Sequence, residues 1–206
     1  STRFPEGCAA AQKGSGRRRR SRLRFGFAGA AFSALTESSR IPGPSAIRFS
    51  RIAISITLSA MRDEFMQAAI DEAKKGLAEG GIPIGSVIVH EGKILGRGHN
   101  MRVQAGDPLL HGEMSAFKDA GRQPASVYRN CVLYTTLSPC PMCSGTSLLY
   151  KIPKIVIAEN VNFLGAEDWL RSQGVELTVL QDEECIEMMK TFIAERPDLW
   201  NEDIAV

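Results

Sequence analysis

The sequence is poor in the features that would tie it to a membrane, a disulfide framework or a repeat array. Its 206 residues include five cysteines and three histidines. Two of the cysteines form a C-x-x-C and the other three, Cys8, Cys131 and Cys185, have no evident partner. That supplies no disulfide framework, so a reducing compartment, the cytoplasm, is expected. The apolar run Ile52 to Ala60 falls well short of the ~20 residues that cross a bilayer, so no membrane partner is expected. There is no internal repeat.

Charge divides the chain into two unlike pieces. Residues 1–60 carry 11 Lys and Arg against 2 Asp and Glu, a net of +9, and residues 61–206 carry 14 against 21, a net of −7. The first piece has Arg17 to Arg20 in a row, is rich in Ser, Ala and Gly, and has no Met before Met61. Two readings are preferred: an organellar transit peptide, which would change the compartment, or sequence upstream of an authentic start at Met61. A basic arm for nucleic acid is the third. In all three, residues 1–60 form an extension that does not pack, and 61–206 form the working domain.

Within that domain the apolar periodicity predicts a helix over 62–79, with Met66, Ile70, Ala73 and Leu77 as its core stripe and Gly80-Gly81 ending it. Ile84 to Val89 reads as a strand, Glu91-Gly92 as a turn and Lys93 to Gly96 as the start of a return strand. A loop from Gly98 to Leu110 follows, then a helix from His111 to Ala120 closed by Gly121. Val132 to Leu137 is a continuous apolar strand, with a helix after it through Tyr150. Further on come a strand at Ile155 to Ala158, a helix at 166–173, a strand at Val175 to Leu180 and a helix at 182–195. This alternation predicts a three-layer α/β/α domain around a central mixed sheet. At 146 residues the piece is long enough for a sizeable core.

The chemistry lies in two stretches, Leu110-His111-Gly112-Glu113-Met114 and Ser138-Pro139-Cys140-Pro141-Met142-Cys143. Together they read H-x-E followed by P-C-x-x-C, a signature that resembles the zinc-dependent nucleobase deaminases. A catalytic zinc takes three protein ligands and leaves one position for water. His111, Cys140 and Cys143 make that set. A C-x-x-C at a helix start lets both sulfurs approach one ion, and the helix dipole favours thiolates there. His111 and Glu113 diverge by roughly 200° around a helix, so they share a site only off its N-terminal end. There Glu113 could carry a proton from water to substrate. A structural zinc site would want a fourth ligand. Cys131 has no suitable spacing for it, and His90 and His99, flanking the hairpin, read as surface or loop residues. A redox C-x-x-C would leave the His-x-Glu pair without a role.

Further stretches narrow the resemblance. Gly80 to Gly85, Gly96 to Arg102, Leu133 to Cys140, Glu159-Asn160-Val161-Asn162-Phe163 and the tail from Glu195-Arg196-Pro197 through Trp200 to Ile204 are similar to the fungal-type cytosine deaminases, over essentially all of 61–206 and none of 1–60. The resemblance implies a homodimer of cytidine-deaminase-like domains, one catalytic zinc per subunit, hydrolysing cytosine to uracil and ammonia in pyrimidine salvage. On that basis zinc-bound hydroxide attacks C4 while Glu113 shuttles protons. Asn100 and the backbone N–H of Gly112 bind the pyrimidine edge, and Ser138 adds backbone contacts. Asp203 holds the exocyclic amine, and Phe163, Trp200 and Ile204 wall the pocket. Guanine deaminases and tRNA-editing adenosine deaminases share the metal motif and are the rival readings. The acidic domain argues against nucleic acid as a partner.

Overall fold

The structure, a computed structural model, describes residues 62–206. The readings made for residues 1–60, for Met61 as a start and for Cys8 lie outside the described residues.

The domain opens with helix α1 (Glu64–Ala78), whose N-cap Asp63 accepts hydrogen bonds from the backbone N–H groups of Phe65 and Met66. Strands β1 (Gly85–His90) and β2 (Lys93–His99) form the hairpin. The short α2 (Arg102–Ala105) and then α3 (Gly112–Ala120) follow. The remainder runs α4 (Ala125–Tyr128), β3 (Cys131–Leu137), α5 (Pro141–Leu149), β4 (Lys154–Glu159), α6 (Glu167–Ser172), β5 (Glu176–Val179), α7 (Glu183–Glu195) and α8 (Pro197–Asp203). The five strands lie in the order β2-β1-β3-β4-β5. β1 is antiparallel to both β2 and β3, while β3–β4 and β4–β5 are parallel, so the sheet is mixed as expected.

Helices cover both faces because the strand pleat sends alternate residues to opposite sides. Ile88, Leu133, Ile155 and Ile157 point to one face and pack with Ala116 and Phe117 of α3 and Leu170 of α6. Val87, Val89, Tyr134, Val156 and Ala158 point to the other and meet Met66, Ala69 and Ile70 of α1 and Cys185 of α7. These strands are buried on both sides, which is why the sequence shows them as unbroken apolar runs. Two glycines set the closest approaches. A Cβ on Gly85 would run into the backbone of α1 at Ala69 and Ala73, and one on Gly96 into α3 at Ala116 and Ala120.

Two expectations fail at the C-terminal end of α1. Leu77 does not join the core stripe and is 42% exposed, because the last turn of the helix faces a histidine instead of apolar strands. That histidine is His99, expected at the surface but only 4% exposed. Its Nδ1 lies 3.0 Å from Glu72 and its Nε2 2.9 Å from Glu79, both on or beside α1, and Gly76 leaves the space its ring occupies. The strand therefore continues through His99 where a loop was expected. The tail also folds, as α8, where no element was predicted.

Candidate active site

Two helix N-termini converge at one end of the sheet. His111 is the N-cap of α3 and Cys140 the N-cap of α5, each in extended backbone and neither using its side chain to cap. The site thus lies off the N-terminal end of α3, as the divergence of His111 and Glu113 requires. Pro141 begins α5 without the N–H it would otherwise leave unpaired, and Cys143 lies one turn on. The ligand atoms of His111, Cys140 and Cys143 all lie within 4.8 Å of one another, with His111 Nδ1 3.6 Å from Cys140 Sγ. One imidazole nitrogen and two sulfurs at such spacing fit a tetrahedral zinc with one position free. No fourth Cys or His joins the group among the described residues. Cys131 and Cys185 lie buried and unpaired in the core, where burial pushes the Cys131 thiol up to about 11 and Cys185 higher still.

The electrostatics suit a cation and a proton carrier. Hydrogen bonding from the Cys143 thiol, aided by His111, draws Cys140 down to about 4, while Cys143 is held well above its usual range by that same bond. Burial opposes protonation of His111, yet Cys140, Asp203 and Glu113 carry it up to about 9. These protons are the ones a divalent ion displaces on binding. Burial, reinforced by the Cys140 thiolate, raises the Glu113 carboxyl to about 7, within reach of the working range of a general base and acid.

A small cavity opens above this group, lined among others by Ile84, Leu137, Ser138, Phe163, Trp200 and Asp203. His111, Cys140, Glu113 and Ile204 complete the wall. Phe163 and Trp200 meet edge to face, with ring centroids 5.8 Å apart. Asp203 comes from α8, its Oδ1 accepting from Asn100 Nδ2 at 2.8 Å and lying 3.6 Å from His111 Nε2. Arg102 fastens the same helix by donating to the Glu202 carbonyl at 2.5 Å and to its carboxylate at 3.2 Å.

Of the residues named from sequence, eight line the cavity and Cys143 lies just behind it with the ligand group. Asn100 and Gly112 do not line it. The Asn100 side chain is fully buried, with Oδ1 accepting from Arg102 N–H and Nδ2 donating to Asp203, one amide proton remaining free of these bonds. Gly112 opens α3 so close to β1 that a Cβ would sit 2.9 Å from the Ile84 carbonyl oxygen. The Ser138 hydroxyl donates to Glu167 and accepts from Gly165 N–H, so its side chain supports a loop. Ile84 and Leu137 were missed. The position of Leu137, last in the strand that delivers Ser138-Pro139-Cys140, was the signal available.

Comparison with known proteins places this arrangement. Residues 59–159 match the cytidine and deoxycytidylate deaminase zinc-binding region. A cytosine deaminase of Candida albicans is 54% identical over 140 residues, which is 68% of this chain and 93% of that protein. A tRNA-specific adenosine deaminase of Streptococcus pyogenes is 42% identical over 106 residues, covering 50% of this chain and 66% of its own. Among solved structures, a tRNA:A34 deaminase superimposes with TM-score 0.54 at 24% identity, over 62% of this chain and 99% of the other. A guanine deaminase of Nitrosomonas europaea gives 0.52 at 18%, over 63% and 83%. At those identities the two structures establish the α/β fold alone. The metal-binding trio, the matched region and the extent of the fungal similarity lead to one conclusion: the chain belongs to the zinc-dependent cytidine and deoxycytidylate deaminase family.

Proposed function

We propose that this enzyme hydrolyses cytosine to uracil and ammonia, as a step of pyrimidine salvage. The observation that carries this reading is the closed end of the cavity. Helix α8 brings Trp200, Asp203 and Ile204 over Glu113, making a space suited to a flat free base with one acceptor at its rim. The 54% identity to the Candida albicans cytosine deaminase, over 68% of this chain and 93% of that protein, supports it.

His111, Cys140 and Cys143 would hold the zinc ion, which when bound supplies Lewis-acid activation of a water molecule near neutral pH. Glu113, buried at the cavity floor and raised to about 7, takes the proton from that water and delivers it to N3 of the base. The regenerated carboxylate then takes the second proton, from the hydroxyl added at C4, and passes it to the leaving amine, so one carboxyl group acts twice in sequence. Asp203 accepts from the exocyclic amine and is itself held by Asn100. The apolar walls exclude bulk water, which strengthens both interactions.

A homodimer is part of the proposal. Leu149 of α5 is 74% exposed, and Trp169 of α6 lies against Gly145, one turn earlier on the same face of α5. Leu164, 67% exposed, precedes α6. An apolar surface of this kind suits a second copy of the chain. Sedimentation at two concentrations tests it, and a monomer at both overturns it.

For the chemistry, the zinc-loaded full chain is assayed separately on cytosine, cytidine, adenine and guanine for release of ammonia. Turnover of cytosine alone is expected. Glu113→Gln should retain one zinc and lose turnover, and near-native activity in that variant would remove Glu113 from the reaction. Release of ammonia from another base, with cytosine inert, would leave the zinc chemistry standing and refute the substrate assignment.

A further inference from the structure

Glu159, the last residue of β4, is completely buried, and the deamination chemistry does not use it. Its side-chain partners are all uncharged amide N–H groups. One carboxylate oxygen accepts from the backbone of Val161 at 2.6 Å and of Asn162 at 3.1 Å, and the other accepts from Asn162 Nδ2 at 3.1 Å. Asn162 Nδ2 also donates to the Ile186 carbonyl at 2.9 Å, tying the same turn to α7. Burying a carboxylate without a cation is unfavourable unless several donors converge on it. Here the donors belong to the irregular segment that leads into Phe163.

The far end of that segment is fixed as well. Gly165 N–H donates to Ser138 Oγ at 3.0 Å, Ala166 N–H donates to the Pro139 carbonyl at 3.0 Å, and Ser138 Oγ donates to Glu167 at 2.9 Å. Gly165 passes so near the Pro139 carbonyl that a side chain there could not fit. Phe163 therefore stands at the middle of a span held at both ends, its ring in edge-to-face contact with Trp200 in the cavity wall. The second anchor is shared with the metal-binding segment; Glu159 meets that segment only through its backbone carbonyl, which accepts from Ser138 N–H at 3.0 Å, while its side chain bonds to Val161 and Asn162 alone.

We propose that Glu159 is a positioning residue that fixes the Phe163 wall and thereby limits the size of base the cavity accepts. This rests on the cytosine reading of the cavity. In Glu159→Gln one acceptor oxygen becomes an NH2 group facing amide donors, so at least one of the three bonds must break. Asn162→Ala is the milder variant, removing only the side-chain link to Glu159 and Ile186.

Both variants are made in the full chain, in a Trp169→Phe background that leaves Trp200 as the sole tryptophan of the two in the sequence. The zinc-loaded proteins are assayed on cytosine and 5-methylcytosine. Separately, quenching of Trp200 fluorescence by acrylamide reads the wall without substrate. KM for cytosine should rise about tenfold with kcat within about threefold, the preference for cytosine over 5-methylcytosine should fall, and quenching should increase. A lowered Tm with unchanged KM, preference and quenching makes Glu159 purely structural and overturns the proposal. So does a loss confined to kcat. If Glu159→Gln fails to fold, Asn162→Ala decides by the same criteria. If the parent chain does not deaminate cytosine, the substrate reading fails, and the quenching comparison still decides whether Glu159 positions the wall.

Discussion

Asp203 is the residue where the substrate assignment can be tested most sharply. Its Oδ1 accepts from Asn100 Nδ2 at 2.8 Å, and burial, offset by His111 and Asn100, pushes its carboxyl up from the usual range. In Asp203→Asn the amide oxygen can keep the bond to Asn100, so α8 stays seated. The other oxygen becomes an NH2 group, which turns a donor toward the exocyclic amine it was to accept from. A hydrogen bond to a charged group contributes about 1.5–3 kcal/mol. At about 1.4 kcal/mol per factor of ten, kcat/KM for cytosine should fall about 10- to 150-fold. The assay follows loss of cytosine absorbance, with zinc content and Tm measured on the same preparation. Asp203→Ala removes the partner of Asn100 as well, and leaving that buried amide unsatisfied should cost about 1–3 kcal/mol in stability. The two variants therefore separate catalysis from folding. Asp203 also lies 3.6 Å from His111 Nε2, so its carboxylate could act by orienting a zinc ligand. In that case Asp203→Asn loses zinc and activity in proportion. Activity within threefold of the parent at full zinc content would refute the reasoning.

Other perturbations probe the frame around the site. His99→Leu leaves the buried Glu72 carboxylate without its nearest partner and should destabilise the domain by about 3 kcal/mol, lowering Tm by about 6–12 °C in a thermal melt. No change would mean that the His99–Glu72–Glu79 arrangement contributes nothing to the hold of α1 on β2. Gly85→Ala should prevent α1 from seating on β1, since the added methyl meets backbone rather than a movable side chain; a parental melt would disprove that packing. The Arg62 guanidinium ties Asp182 and Glu184 to the start of the domain, at 2.5 and 2.7 Å. Asp182 sits below its ordinary range, where burial acts upward but the Arg62 bonds prevail, and Glu184 is lowered by Lys74 and Arg62. Their contribution is present above the unfolded-state values of about 4 and is lost as pH falls through the lowered folded values. The Tm difference between parent and Arg62→Met should therefore shrink on acidification below pH ~4, and zinc loss, common to both, cancels. A difference that stays constant with pH removes the ionic contribution.

The reading from sequence agrees with the structure where a placement is set by short local spacing. The motif spacing singled out His111, Cys140 and Cys143, whose ligand atoms the structure gathers with Glu113 beside them, and the doubly buried runs of β1, β3 and β4 announced the centre of the mixed sheet. It failed where a polar residue finds its partner far along the chain. His99 looks like a hairpin rim residue until Glu72, 27 positions earlier, is packed beside it. Helix α8 is seven residues with Pro197 at its start, too short to show a helical period, although its Trp200 packs into an apolar cluster with Ile82, Leu137 and Phe192. Besides that packing it is held by Asn100 to Asp203 and Arg102 to Glu202, links across about a hundred residues. Glu159 escapes notice for a different reason: its donors Val161 and Asn162 are only two and three residues on, but a glutamate at a strand end reads as solvated until the turn that buries it is in place.

The two tasks of the site thus rest on different kinds of information. On the proposed reading, metal binding and proton transfer come from residues placed within single turns of α3 and α5. On the same reading the shape of the base-binding space comes from Phe163, Trp200, Asp203 and Ile204, placed by segments that hydrogen bonds and apolar packing hold down. Substitutions in the anchors Asn100, Arg102 and Glu159 should therefore alter which base is accepted and how tightly, while leaving the zinc in place. Substitutions in the trio should remove zinc and activity together while leaving the wall standing. A protein of this fold that keeps the trio but changes the anchors has the means to alter its substrate without altering its chemistry.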